Sequence, residues 1–153
     1  MNWEAIGATG EWAGALAVVI TLVYLAIQIR QTNRSMRDKS VTQYYVMLHE
    51  LIGGISDPNS GPLLKRGTHD PGSLSPDEQE QFNLLMQNNF VFYEYAWNLT
   101  IRGALDEALT RPTLDAMIGT LRTPGGEQWW QKSPVKHDEV FTNYVNKRLS
   151  LDA

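Results

Sequence analysis

From Trp12 to Arg30 the chain reads WAGALAVVITLVYLAIQIR, and this stretch decides the fold. Between Trp12 and Ile27 the one clearly polar side chain is Thr21, and no proline interrupts the run. A helix needs ~20 apolar residues to span the hydrocarbon core of a bilayer. The uninterrupted apolar length here is about 16 to 18 residues, at the short end of the spanning range. The flanks close that gap. Trp12 and Tyr24 suit the interfaces, and Gln28 and Arg30 can extend toward the headgroups. Thr21 can return its hydroxyl to its own helix backbone. The expectation is an all-α protein. A short extracytoplasmic or interfacial N-terminus (1–11) leads into one transmembrane helix (12–29), which continues into a cytoplasmic helical domain (30–153). The competing reading is a soluble bundle with this helix buried at its centre.

Charge sets the expected orientation. Arg30, Arg34, Arg37 and Lys39 follow the run, opposed only by Asp38, and no Lys or Arg precedes it. The positive-inside rule then places the C-terminal side in the cytoplasm and the N-terminus outside. A cleaved signal peptide begins with positive charge and ends at a small-residue site. Here the preceding charges are Glu4 and Glu11, and Ala26-Ile27-Gln28-Ile29-Arg30 holds no such site. Arg30, Arg34 and Arg37 share a helix face at i, i+4, i+7. That face is suited to anionic lipid headgroups, and Lys39 lies just beyond it.

Small residues recur along the same helix. Gly7, Gly10, Gly14 and Ala17 are spaced by three and four, and Gly10 to Gly14 forms a literal GxxxG. Such residues let two membrane helices approach closely. They make Gly7, Gly10, Gly14 and Ala17 the candidate helix-packing set, although Gly and Ala are also simply common in membrane helices. Glu11 reads as an interfacial glutamate at the helix N-terminus, with a polar contact to a partner helix as the alternative.

Three segments carry a resemblance. They are Trp3-Glu4-Ala5-Ile6-Gly7-Ala8-Thr9-Gly10-Glu11, Gly14-Ala15-Leu16-Ala17-Val18-Val19, and Thr21-Leu22-Val23-Tyr24-Leu25-Ala26-Ile27-Gln28-Ile29-Arg30. Together they resemble the N-terminal signature of a group of small uncharacterised bacterial membrane proteins, in which a variable helical region follows. The match is dense and covers about the first fifth of the chain. It implies an N-terminal membrane helix and a bacterial origin, and it implies no activity; the expected location is the bacterial inner membrane.

The remaining sequence reads as short helices. No Pro or Gly falls between Ala15 and Ile52, so the first helix should continue as one long rod, or with a slight break near Thr32-Asn33, until Gly53-Gly54. Tyr44, Tyr45, Met47, Leu48, Leu51 and Ile52 form its apolar face near the end. Residues 56–75, rich in Pro, Gly, Asp and Ser, read as loop with a short helix over Pro62 to Arg66. Ser75-Pro76-Asp77-Glu78 is a capping box with Pro at the first helical position. It opens a helix to about Ile101 before Gly103. The segment Phe90 to Trp97 is apolar on nearly every side, so this helix should be buried on more than one face. Leu105 to Leu109 reads as one turn, a break at Pro112 precedes a helix over Thr113 to Leu121, and a turn at Pro124-Gly125-Gly126 leads to a short helix with Trp129-Trp130. The last helix spans about Val135 to Leu149, with Val140, Phe141, Tyr144, Val145 and Leu149 as its stripe.

Chemistry is sparse. The 153 residues carry a net charge of −4 and no cysteine. That leaves no basic excess to attract nucleic acid, no disulfide framework and no thiolate. His49-Glu50 begins like a zinc-protease motif, but Gly53 stands where the second histidine belongs. No Glu-x-x-His, Gly-x-Ser-x-Gly or P-loop occurs. The expectation is no metal, no cofactor and no enzymatic activity. Two features stand out. Glu94 lies in an aromatic run, where an unpaired carboxylate is costly, with Arg102, Arg111 or Arg122 as expected partners. Trp129 and Trp130 point to different helix faces, so one is a candidate partner contact and the alternative is a cap over the core edge. The functional expectation is a non-enzymatic scaffold or accessory subunit, with membrane lipids and protein partners (self or a larger membrane complex). The alternative is a cytoplasmic sensor or regulator with a small-ligand pocket near Glu94 and Trp97. An enzyme built from His49, Glu94 and His137 would require those side chains to converge.

Overall fold

The computed structural model describes residues 3–133 and 136–151, and the side chains of residues 12, 14 and 16 onward within that span. The described chain is all helical: α1 (Trp3–Ser56), α2 (Ser60–His69), a 3-10 turn (Pro71–Ser73), α3 (Pro76–Ile101), α4 (Glu107–Leu121), α5 (Pro124–Lys132) and α6 (Glu139–Ser150). It divides into two compact units, Met1–Lys39 and Ser40–Ala153.

The first unit is helical over its described length, and its apolar stretch is that of the expected anchor. Residues 12–29 rise about 27 Å at 1.5 Å per residue, close to the ~30 Å of a bilayer core. This is the one described helix long and apolar enough to cross a membrane.

The second unit is organised around α3. Its N-terminus has both halves of the capping box. Ser75 Oγ accepts from the Glu78 amide at 3.3 Å, and Glu78 Oε2 accepts from the Ser75 amide at 2.9 Å. The Ser75 amide, and then the Arg66 guanidinium beside it, hold the Glu78 carboxyl below its ordinary value. The C-terminus is a Schellman motif. Gly103 takes φ +68, its amide donates to Thr100 O at 2.9 Å, and the Ala104 amide donates to Leu99 O at 2.9 Å. Between these caps Phe82, Met86, Phe90, Tyr93 and Trp97 form one buried stripe, and Phe92 is buried on another face. Both faces are therefore covered, as the all-round apolar run implied.

Around α3 pack Leu114, Met117, Ile118 and Leu121 of α4, Trp129 of α5, and Phe141 and Val145 of α6. From the last turns of α1, Tyr44 enters the core with Val41, Leu48 and Leu51 at its side. Its ring stacks on Phe92 at 5.9 Å, and its hydroxyl bonds Thr113 Oγ1 at 2.7 Å. Tyr45 and Ile52, expected on this face, are instead exposed. The inward positions 41, 44, 48 and 51 follow the 3–4 spacing, and Tyr45, about 100° round the helix from Tyr44, falls outside that stripe. Val140, expected in the α6 stripe, also faces out.

Four boundaries differ from expectation. First, α1 runs through Gly53-Gly54 to Ser56, where Asp57-Pro58 stops it: a residue before proline avoids the helical region. The Asp57 carboxylate then caps the turn, accepting from the Asn59 and Ser60 amides at 2.9 and 3.0 Å. Second, the presumed loop contains α2, ten residues long. Pro62 falls in its first turn, where the missing N–H costs nothing. Gly67 lies so close to Phe82 that a Cβ there would stand 2.2 Å from the ring. Third, α4 is continuous through Pro112, reinforced by the Glu107–Arg111 pair at 3.1 Å. Fourth, α6 begins only at Glu139, because Asp138 is its N-cap and accepts from the Val140 and Phe141 amides at 2.9 and 3.2 Å.

Helices α2 and α5 meet backbone to backbone. A Cβ on Gly125 would lie 1.8 Å from Gly67 O; α5 is equally close to α4, where one on Gly126 would lie 2.0 Å from Thr120 O. The Thr123-Pro124 start of α5 is set by Thr123 Oγ1, which accepts from the Gly126 amide at 3.2 Å.

Candidate functional site

The most distinctive surface is on α1. Leu16, Val18, Val19, Ile20, Leu22, Val23, Leu25, Ile27 and Ile29 are each 45–62% exposed, and Trp12 is 79% exposed. These positions go all the way round the helix, so no face of the segment is covered. Soluble monomers rarely leave so large a contiguous apolar surface bare. Full burial of one aliphatic side chain stabilises by about 1.5–3 kcal/mol. With half of each still exposed, on the order of 10 kcal/mol of burial is unrealised. The apolar window of α1 that could cross a membrane is 0% buried.

Polar groups in this segment bond locally. Thr21 Oγ1 donates to Ala17 O at 2.8 Å, the return to the backbone expected from the sequence. Gln28 Nε2 donates to Tyr24 Oη at 3.1 Å. Arg30, Arg34, Arg37 and Lys39 are exposed. Of the helix-packing set, Ala17 is exposed, and a Cβ on Gly14 would meet nothing within 4 Å, so that strip is open. Gly7 and Gly10 lie on the α1 backbone, but their surroundings, like the Glu11 side chain, fall outside the described residues.

A second site is built in the helical unit at Glu94. Its carboxylate does not pair with Arg102, Arg111 or Arg122. Oε2 accepts from His137 Nδ1 at 2.7 Å, and Oε1 accepts from the Asp138 amide at 2.9 Å. The Glu94 side chain is 21% exposed and that of His137 only 4%. The imidazole is packed among aromatic rings. It stacks on Trp130 at 5.4 Å and has Phe141 edge-on at 5.7 Å and Phe90 at 6.1 Å. Since the carboxylate takes the Nδ1 proton, a neutral His137 presents a lone pair at Nε2, and that atom is buried without a hydrogen bond. An inaccessible Nε2 is poorly placed to act on a substrate. The cluster instead fixes the linker between α5 and α6 onto α3. His49, the third member of the imagined enzyme, is exposed on α1 and is not among its partners. Among the described residues no group of acidic and histidine side chains could hold a metal ion.

The two tryptophans part company. Trp129, 5% exposed, is a core residue against Phe90 at 4.8 Å, which removes it as a partner contact. Trp130 is half-buried and donates from Nε1 to Asn146 Oδ1 at 3.0 Å. It lines an open cleft of about 540 Å³ between α5 and α6, together with Lys136 and His137. A further cleft of about 490 Å³ lies by Trp97, Tyr144 and Arg148. Sequence reasoning did not single out Tyr93, a buried tyrosine whose desolvation pushes its hydroxyl up to about 12. The only advance signal was its place in the all-apolar run.

The chain matches no protein-family model, no curated protein and no solved structure.

Proposed function

We propose that this chain is a single-pass protein of the bacterial inner membrane, anchored by residues 12–29 with its N-terminus outside and its helical unit in the cytoplasm. It acts as a non-enzymatic scaffold or accessory subunit of a membrane complex. The observation that carries the reading is the uncovered apolar surface of α1 between Leu16 and Ile29, which lipid or a partner helix would bury. The basic cluster Arg30, Arg34, Arg37 and Lys39 supports the orientation and a contact with anionic headgroups. The open strip at Gly14 and Ala17 supports close packing against another membrane helix.

The test is native-level purification in mild detergent after an alkaline wash of membranes, followed by complex mass and identification of co-purifying proteins. Retention in the washed membrane together with a stoichiometric partner or a defined self-oligomer is expected. Release by the wash would remove the anchor. A lone monomer in detergent would remove the scaffold role.

A further inference from the structure

Between Gly14 and Ile29 the side chains that can hydrogen-bond are Thr21, Tyr24 and Gln28, and every other residue is aliphatic or glycine. Their spacings of three and four gather them on one side of α1. At about 100° per residue, Gly14, Ala17, Thr21, Tyr24 and Gln28 share an arc of about 80°, which no other residue of the segment enters. The opposite side carries Leu16, Val19, Val23 and Ile27, all exposed and aliphatic. Hydrocarbon penalises a hydrogen-bonding group equally at any angle round a helix, so lipid alone gives no reason for this segregation. A neighbouring helix does.

The polar side keeps a seven-residue register. Gly14, Thr21, Gln28 and Ser35 stand at one heptad position, and Ala17, Tyr24, Gln31 and Asp38 at another, the a and d columns of a two-stranded pairing. Arg30, Arg34, Arg37 and Lys39 all fall off both columns. Within the second unit, Tyr45 and Ile52 are the next two d positions in the sequence, and they are 51% and 52% exposed.

The chemistry of these columns selects the occupant. Two copies of one membrane chain insert with the same orientation and lie parallel, so each a or d residue meets its own counterpart. A charge there would face its like, and from Gly14 to Ser35 the columns hold none. Asp38 is the first charged member. Lys39 takes the e position beside it, so the partner's Lys39 supplies the opposite charge. Gln28 Nε2 donates to Tyr24 Oη at 3.1 Å, and both residues are exposed. That bond leaves an amide oxygen to accept and a phenol proton to donate, and the same pair on a second copy offers both in return.

We infer that α1 pairs in parallel with α1 of a second copy of this chain through the a and d columns, with Thr21, Tyr24 and Gln28 inside the contact. This rests on the anchored reading and names the helix that the anchor packs against.

Single cysteines test it, since the chain has none of its own. Full-length Ala17→Cys, Thr21→Cys and Gln28→Cys are oxidised in native membranes beside Val19→Cys, Val23→Cys and Ala26→Cys. All six sites are exposed, so the replacements leave internal packing intact. Facing residues of a parallel pair approach the Cα separation of ~6 Å that a disulfide spans, and residues on the far side do not. The first three are expected to form disulfide-linked dimers and the last three to stay monomeric. An alkaline wash of the same membranes reads the anchor separately. Retained protein that does not cross-link, cross-links equally from both sides, or cross-links only to a different protein overturns the pairing and leaves the anchor standing. Release by the wash overturns both.

Discussion

Replacing Glu94 by alanine tests whether the carboxylate pins the α5–α6 linker. In the folded chain it accepts two hydrogen bonds, from His137 Nδ1 at 2.7 Å and the Asp138 amide at 2.9 Å. A hydrogen bond to a charged group contributes about 1.5–3 kcal/mol net. Two such bonds set an upper range of about 3–6 kcal/mol. The 21% exposure of the Glu94 side chain lets water refill part of the vacated space, which reduces the expected loss to about 2–4 kcal/mol. Glu94→Gln should cost less, about 1–2 kcal/mol. Its amide oxygen can still accept from Asp138, and its N–H can face Nδ1 if the imidazole shifts its proton to Nε2. Urea unfolding of the full-length protein in mild detergent, followed by tryptophan fluorescence, measures both. Trp130 stacks on His137, so the same probe reports the loosened linker directly. A loss under about 0.5 kcal/mol for alanine, the scale of an ordinary surface change, or a larger loss for glutamine than for alanine, would refute the argument.

Two further outcomes follow from the helix contacts. Gly125→Ala should destabilise by about 1–3 kcal/mol, since its Cβ must displace the α2 backbone; thermal melting followed by circular dichroism measures this, and a neutral result would mean the two helices do not pack as described. Glu78, whose folded pKa is depressed by the Ser75 amide and Arg66, adds stability that is present above its ordinary value of 4.5 and lost as pH falls through the lower folded value. Glu78→Gln should therefore flatten the acid limb of stability below that pH and leave its neutral-pH slope unchanged, as acid titration of the melting temperature would show.

Much of this architecture is legible in the residues. The α3 start was readable because a capping box is local: Ser75, Pro76 and Glu78 act on one another within a turn. Its end was readable because Gly103 supplies the positive φ that a Schellman motif needs. The apolar run on α1 needed only composition. By contrast α2 was unreadable as a full helix, because Gly61, Pro62 and Gly67 lower local propensity, and tertiary contact with α3 and α5 restores what propensity lacks. The partner of Glu94 was missed for a related reason. His137 lies 43 residues away in a linker, and nothing local distinguishes it from the arginines that carry permanent charge.

The close passage of α2 over α5 has an evolutionary side. When two side chains touch, a gain in one can be balanced by a loss in the other, and the pair can drift together. At Gly125 the neighbour is the carbonyl of residue 67, and every amino acid brings the same carbonyl. No second-site change can make room for a bulkier residue 125 by trimming its partner. The position is expected to stay glycine on its own, without a covarying companion, even where the surrounding side chains diverge freely.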